Sequence, residues 1–274
     1  MTTPAFATGL VRVAVAPAGR RTPHRVTLSR GVRPAGRAAD GGPAYAAEAW
    51  VPAGPFRRPR ADEPVWADPD EPGEHVRVVS LNARAVAGLR RLHEVTRPPR
   101  GREYAVAVDR LAAELLAADR GTLGCRGRVR RTGLAESAAG LWTVTVHPDT
   151  RRRIGLHVDS WFDAAVAARH RSPWRACANV GRADRWLLVV NRPLRQVMTD
   201  LGADPAAAHP NRLARDFLRR FPDYPVVRVR VRPGECYIAA TEDLIHDGSS
   251  AGGHHPDLCY TFHGRFAVAG GGGE

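Results

Sequence analysis

Hydrophobic and polar positions repeat with two different periods along this chain, and the change of period divides it. From Gly124 onward short stretches alternate or run apolar: Leu141 to His147, Trp186 to Asn191, Val226 to Val231, Cys236 to Ala240 and Leu258 to Val268. Runs of this length between turn residues predict β-strands. In Val226 to Arg232 valine alternates with arginine, which reads as a strand with one dry and one wet face. Before Gly124 the spacing is helical. Leu81, Val86, Leu89 and Leu92 share one face of a helix that ends before Pro98-Pro99, and Val106, Val108, Leu111, Leu115 and Leu116 mark a second, from Tyr104 to Ala118, stopped by Gly121. Two further short helices, Leu194 to Leu201 and Asn211 to Phe221, interrupt the strands.

Residues 1–75 carry Pro and Gly at short intervals, which shorten any strand and break any helix. Only Leu10 to Val15 and His24 to Leu28 read as brief edge strands, and the acidic run Ala61 to Glu74 reads as a solvated loop. The expected division is a loop-rich N-terminal extension (1–75) that supplies no strand to the core, supporting helices (76–121), a β core (122–268) and a frayed Gly270-Gly271-Gly272-Gly273 tail. The fold class is mainly β (α+β).

With 274 residues, 43% of them hydrophobic, the chain can bury a sizeable core. No apolar run approaches the about 20 residues of a membrane helix, and residues 1–20 lack a secretory pattern, so a cytoplasmic protein without a membrane partner is expected. Cys125, Cys177, Cys236 and Cys259 form no Cys-x-x-Cys pair and read as core thiols. The 41 basic residues are all arginine. Without lysine, Schiff-base chemistry, a Walker phosphate loop and a kinase phosphate-pairing lysine are excluded. The net charge of +13 is scattered along the chain, and arginine in place of lysine beside abundant Ala, Gly, Pro and Val reads as genome composition. No nucleic-acid partner is expected. No Gly-x-Ser-x-Gly elbow or Gly-x-Gly-x-x-Gly loop is present, so hydrolase and dinucleotide readings lack support.

The segment Ile154-Gly155-Leu156-His157-Val158-Asp159-Ser160-Trp161 carries the candidate chemistry. In an extended chain, residues two apart share a face, so His157 and Asp159 can chelate one ion. His246 follows 89 residues later, after a Pro233-Gly234 turn and the strand at Cys236 to Ala240. Two imidazoles and one carboxylate on one side of an ion suit ferrous iron and leave positions open for substrate. His254 and His255, in a loop with no strand to hold them, read as solvent-exposed. Trp161 either walls a substrate pocket or packs the barrel mouth.

In these residues the chain resembles the Fe(II)/2-oxoglutarate-dependent oxygenases, over roughly residues 122–268: His-x-Asp early, a Pro-Gly turn into a late strand, then a distal His. The resemblance implies a double-stranded β-helix (jelly-roll, cupin-like) core with flanking helices, His157, Asp159 and His246 as iron ligands, and Fe(II), 2-oxoglutarate and O2 as cofactors. It also implies an arginine for the distal carboxylate of 2-oxoglutarate. Alternation over Cys259 to Phe266 sets Thr261, His263 and Arg265 on one face, making Arg265 the choice with Thr261 beside it and Arg175 the alternative. The retained Asp159 disfavours halogenation, whose practitioners in the family replace this carboxylate. The implied reaction is hydroxylation of a small molecule, amino-acid or peptide-like or carrier-bound, as in natural-product biosynthesis; desaturation and ring closure stay open. Two rivals remain: a cupin-like metalloprotein without 2-oxoglutarate, and a basic nucleic-acid-binding protein.

Overall fold

The computed structural model describes residues 3–16, 24–36, 40–68, 76–95, 102–117, 120–205 and 208–266. In chain order the strands and helices of the first half are β1 (Val13–Ala16), β2 (Val26–Leu28), β3 (Gly31–Pro34), β4 (Tyr45–Ala53), β5 (Val76–Ser80), α1 (Ala83–Val95), α2 (Arg102–Ala117), α3 (Arg120–Leu123) and β6 (Cys125–Ser137). Those of the second half are β7 (Arg153–Gly155), β8 (Trp174–Asn179), β9 (Arg185–Pro193), α4 (Leu194–Leu201), α5 (Pro210–Arg220), β10 (Val227–Val231), β11 (Glu235–Ala239), β12 (Leu244–Ser249) and β13 (Asp257–Phe266).

From β6 onward the chain winds between two sheets. One runs β1-β5-β11-β8-β13-β6, and the other runs β12-β9-β10-β2. The continuation of β7 joins the edge of the second through a bridge between His157 and His246. The order β6-β13-β8-β11 facing β7-β12-β9-β10 is the strand order of a jelly roll, so the core is a double-stranded β-helix. Alternation decides what each face buries. Cys177, Leu187, Val189, Val227, Val229, Val231, Tyr237 and Cys259 point between the sheets. Ala176, Ala178, Tyr260 and Phe262 point outward onto α1 and α2, and Leu188, Val190 and Ile245 onto α4 and α5. All four cysteines are free, and all but Cys125 are buried.

The two brief edge strands read in residues 1–75 are present as β1 and β2, but the expectation that this part supplies no strand to the core is overturned. β1 pairs with β5 and β2 with β10, each at the edge of a barrel sheet. Val13, Val15, Val26 and Leu28 are buried between the sheets, each contributing about 1.5–3 kcal/mol. A strand of three or four residues cannot persist alone; here the barrel supplies its ladder and its core. Arg25 clamps β2 to the barrel, its two terminal nitrogens donating to Glu235 at 2.5 and 2.9 Å. β5, in a stretch assigned to supporting helices, lies inside the larger sheet.

Smaller departures follow from local geometry. Leu141 to His147 forms no continuous strand, making a single bridge from Val146 to Arg153 while Val144 donates its N–H to the Gly248 carbonyl. Gly121 lies within α3 rather than stopping α2, which ends at Ala117. Pro98-Pro99, the end of the acidic run and the glycine tail lie outside the described residues. Among the described residues no helix is long and apolar enough to cross a membrane.

Candidate metal centre

The backbone of the His-x-Asp segment is bracketed on every residue. His157 and His246 exchange both backbone hydrogen bonds, at 3.0 and 2.8 Å. Val158 is held by the Asn211 amide, which accepts from its N–H at 2.9 Å and donates to its carbonyl at 3.0 Å, and the Asp159 N–H donates to the Thr241 carbonyl at 3.1 Å. Gly155, which leads in, has φ +69°, and a Cβ there would lie 2.4 Å from the Trp50 carbonyl oxygen of β4. Only glycine fits this crossing, so β4 of the N-terminal part also shapes the approach to the site.

These constraints converge three side chains. His157 Nε2 is 3.6 Å from Asp159 Oδ1, and His246 Nε2 is 3.7 Å from Asp159 Oδ2. Ligand atoms of all three lie within 4.8 Å of one another, and among the described residues no other three His, Cys, Asp or Glu side chains converge this way. All three are buried. Nδ1 of His157 lies 2.8 Å from the Gly155 carbonyl and Nδ1 of His246 lies 3.0 Å from that of Leu244. Each contact places the ring proton on Nδ1 and leaves the Nε2 lone pair for a metal. Nε2 of His246 and Oδ2 of Asp159 are buried without a hydrogen bond. Two imidazole nitrogens and one carboxylate, two of whose ligand atoms are orphaned, fit a divalent transition metal.

Charge around the site is polarised. Burial would raise the Asp159 carboxyl, but His246, Arg175 and His157 hold it far below the carboxylate range. Burial lowers His246 to about 4. Burial also acts to lower His157, but Asp159 and Asp247 outweigh it and raise this imidazole. Arg175 Nη1 lies 3.2 Å from Asp159 Oδ2. Arg169 donates to the Asp159 carbonyl at 2.7 Å and to Glu242 at 2.9 Å, fixing the loop that carries Trp161.

The other expected residues separate. Arg265 is exposed, which corrects its assignment as the distal-carboxylate residue. β8 begins opposite Gly264, so Arg265 runs past its first residue, and the pairing with β6 is irregular between His263 and Arg265. Thr261 is half-buried and its hydroxyl donates to Gly133 of β6 at 3.2 Å. Arg175 lies inside the barrel, directly opposite His263. His263 sits against Trp161 and Phe162 at 5.6 and 5.3 Å, and burial lowers it to about 4. Trp161 itself is 57% exposed. His254 and His255 are exposed.

Sequence reasoning missed Arg185. It opens β9 with the inward parity of Leu187 and Val189, a signal the apolar run beginning at Trp186 concealed. Its guanidinium is inside the barrel, donating to Cys177 Sγ at 3.3 Å and lying 3.6 Å from Asp257 Oδ2. A Cβ on Gly248 would lie 2.7 Å from Arg185 Nη2. Gly248 is two residues beyond His246 on β12 and shares its face, so the guanidinium lies over the same face of β12 that carries this triad ligand.

No family model and no curated protein matches this chain. Among solved structures it is similar to the Kdo hydroxylase KdoO, a non-heme Fe(II) alphaketoglutarate-dependent dioxygenase, in complex with succinate and Fe(III), at 13% identity over 70% of this chain and 80% of that one, TM-score 0.36. It is also similar to asparagine oxygenase (AsnO), at 15% identity over 69% of this chain and 92% of that one, TM-score 0.28. At this distance the chemistry of the site rests on the geometry above.

Proposed function

We propose that this chain is an Fe(II)/2-oxoglutarate-dependent oxygenase that hydroxylates a small molecule. The observation that carries the reading is the convergence of two Nε2 atoms and one carboxylate at the mouth of a double-stranded β-helix, with both Nδ1 atoms directed at carbonyls. His157, Asp159 and His246 would hold the iron, which when bound supplies activation of O2 coupled to oxidation of the 2-oxo acid.

The residues divide the remaining work. Arg185, inside the barrel on the β12 face that carries His246, would pair the distal carboxylate of 2-oxoglutarate, a role that a fork-shaped guanidinium suits. Arg175 approaches the Asp159 oxygen that also faces His246 and, with the histidines, keeps the carboxylate ionised. His263, Trp161 and Phe162 would form the substrate-facing wall, with His263 neutral at physiological pH. Part of the basic charge is internal: Arg25, Arg153, Arg169, Arg185 and Arg192 are buried, which favours composition over a nucleic-acid footprint. A free amino acid and a carrier-bound acyl group both remain compatible substrates, in a cytoplasmic setting.

Anaerobic titration of the protein with Fe(II) and then 2-oxoglutarate tests this. A weak visible charge-transfer band is expected on adding the 2-oxo acid, and it should be absent in His157→Ala. Iron binding with no response to 2-oxoglutarate overturns the assignment and leaves a cupin-like metalloprotein.

A further inference from the structure

We propose that Asp247 is a positioning residue that backs His157 and makes it the stronger of the two imidazole ligands. The proposal rests on the reading of His157, Asp159 and His246 as a metal centre.

Asp247 follows His246 on β12 and is fully buried. Every hydrogen bond that reaches its carboxylate falls on one oxygen. Thr145 donates to Oδ1 through its hydroxyl at 2.7 Å and its N–H at 3.2 Å, and Gly248 through its N–H at 2.6 Å. Oδ2 accepts none and lies 3.8 Å from Nδ1 of His157, the one ion-pair partner of Asp247 among the described residues. Thr145 and Gly248 thus clamp the carboxylate so that its unsatisfied oxygen faces the back of a metal-binding imidazole.

A buried carboxylate oxygen without a donor is costly, and its retention calls for a use. The carboxyl groups that hold the fold are treated differently: both oxygens of Glu235 and of Asp40 are hydrogen-bonded. Behind His157, a negative charge beside Nδ1 reinforces the Nδ1–H tautomer that the Gly155 carbonyl selects, and raises the donor strength of Nε2. Among the described residues, His246 has only the Leu244 carbonyl in the equivalent place. The two ligands are therefore unequal, and the asymmetry arises from the residue adjacent to the weaker one.

The test uses metal-free full-length protein titrated with Co(II), read by visible d–d absorption and chelator competition, beside thermal melts of the metal-free forms. Asp247→Asn keeps the Oδ1 contacts and removes a buried charge, so its metal-free melting temperature should equal or exceed that of the parent. Its Co(II) affinity should fall about 10–100-fold, with a shifted absorption band. Thr145→Val, which loosens the clamp, should give a smaller loss in the same direction. Parental affinity in Asp247→Asn overturns the proposal, as does an affinity loss accompanied by a lower metal-free melting temperature, the sign of a merely structural role. If Asp247→Asn does not fold, parental affinity in Thr145→Val overturns it. A parent chain that binds no Co(II) removes the metal centre itself. One whose binding is lost in His157→Ala but kept in Asp247→Asn removes only the role of Asp247.

Discussion

Buried acids occur in two regions of this protein, and they differ in how completely they are satisfied. At the seam between the N-terminal strands and the barrel, Glu235 takes Arg25 on both oxygens, and the half-buried Asp40 takes the buried Arg153 on both, at 2.5 to 2.9 Å. Arg153 also lies 4.0 Å above the Tyr45 ring. Around the barrel mouth and interior, Glu242 is satisfied by Arg169 and the Trp161 N–H, but the other acids are held loosely. Asp159 Oδ2, Asp247 Oδ2 and both oxygens of Asp257 accept no hydrogen bond, and Arg185 stands 3.6 Å from Asp257. Saturated pairs close a seam. Unsaturated ones keep bonding capacity, which at Asp159 is what the proposed metal would use.

The comparison breaks first by truncation, the largest effect. A chain beginning near Glu74 loses β1, β2 and the Arg25 partner of Glu235, and should show no cooperative melt by circular dichroism; a cooperative melt with metal binding intact would return the seam to a dispensable extension. Next, Asp159→Ala and His246→Ala should abolish Fe(II) binding by equilibrium dialysis while melting like the metal-free parent, because the site contributes ligand atoms rather than fold. Retained stoichiometric iron in both would remove the triad.

The two sets of arginines sharpen the contrast. Arg25→Ala should cost about 3–5 kcal/mol of unfolding free energy, since it removes the buried guanidinium partner of Glu235, and should leave metal affinity unchanged at low temperature. Arg185→Ala should instead weaken 2-oxoglutarate by about two to three orders of magnitude with iron retained, while Arg265→Ala changes neither. A normal cosubstrate affinity in Arg185→Ala with a loss in Arg175→Ala would move that role to Arg175.

The smallest expected effect is in pH. Burial would raise Glu235, but the Arg25 hydrogen bonds lower it net from the ordinary 4.5, so its stabilisation is present above that value and is lost as pH falls through the folded value. Asp257 is raised by burial despite Arg185, so its charge opposes folding at neutral pH and protonation relieves it. Urea melts should then show an acid-side loss that is shallower in Glu235→Gln. Asp257→Asn should remove the relief on protonation, flattening that part of the pH profile. The reverse pair of results would invert the distinction between seam and site.

Local order carried the legible part. Helical spacing located α1, α2, α4 and α5 to within a few residues, and the parity of an extended chain placed His157 beside Asp159 and turned Tyr260 and Phe262 away from Thr261 and His263. His246 was readable because a turn and a strand at Pro233 to Ala240 precede it. These features depend on neighbours in sequence, which fix backbone period and side-chain direction. What tertiary structure alone decided depends on where strands end relative to one another. Arg265 has the right parity but runs beyond the first residue of β8, whereas Arg185 opens a strand whose register with β12 carries its guanidinium over Gly248. β1 and β2 were readable as brief edge strands, but that they pair with β5 and β10 and bury their valines in the barrel was not. Registry between distant segments follows from the packing of the whole barrel, and no local period encodes it.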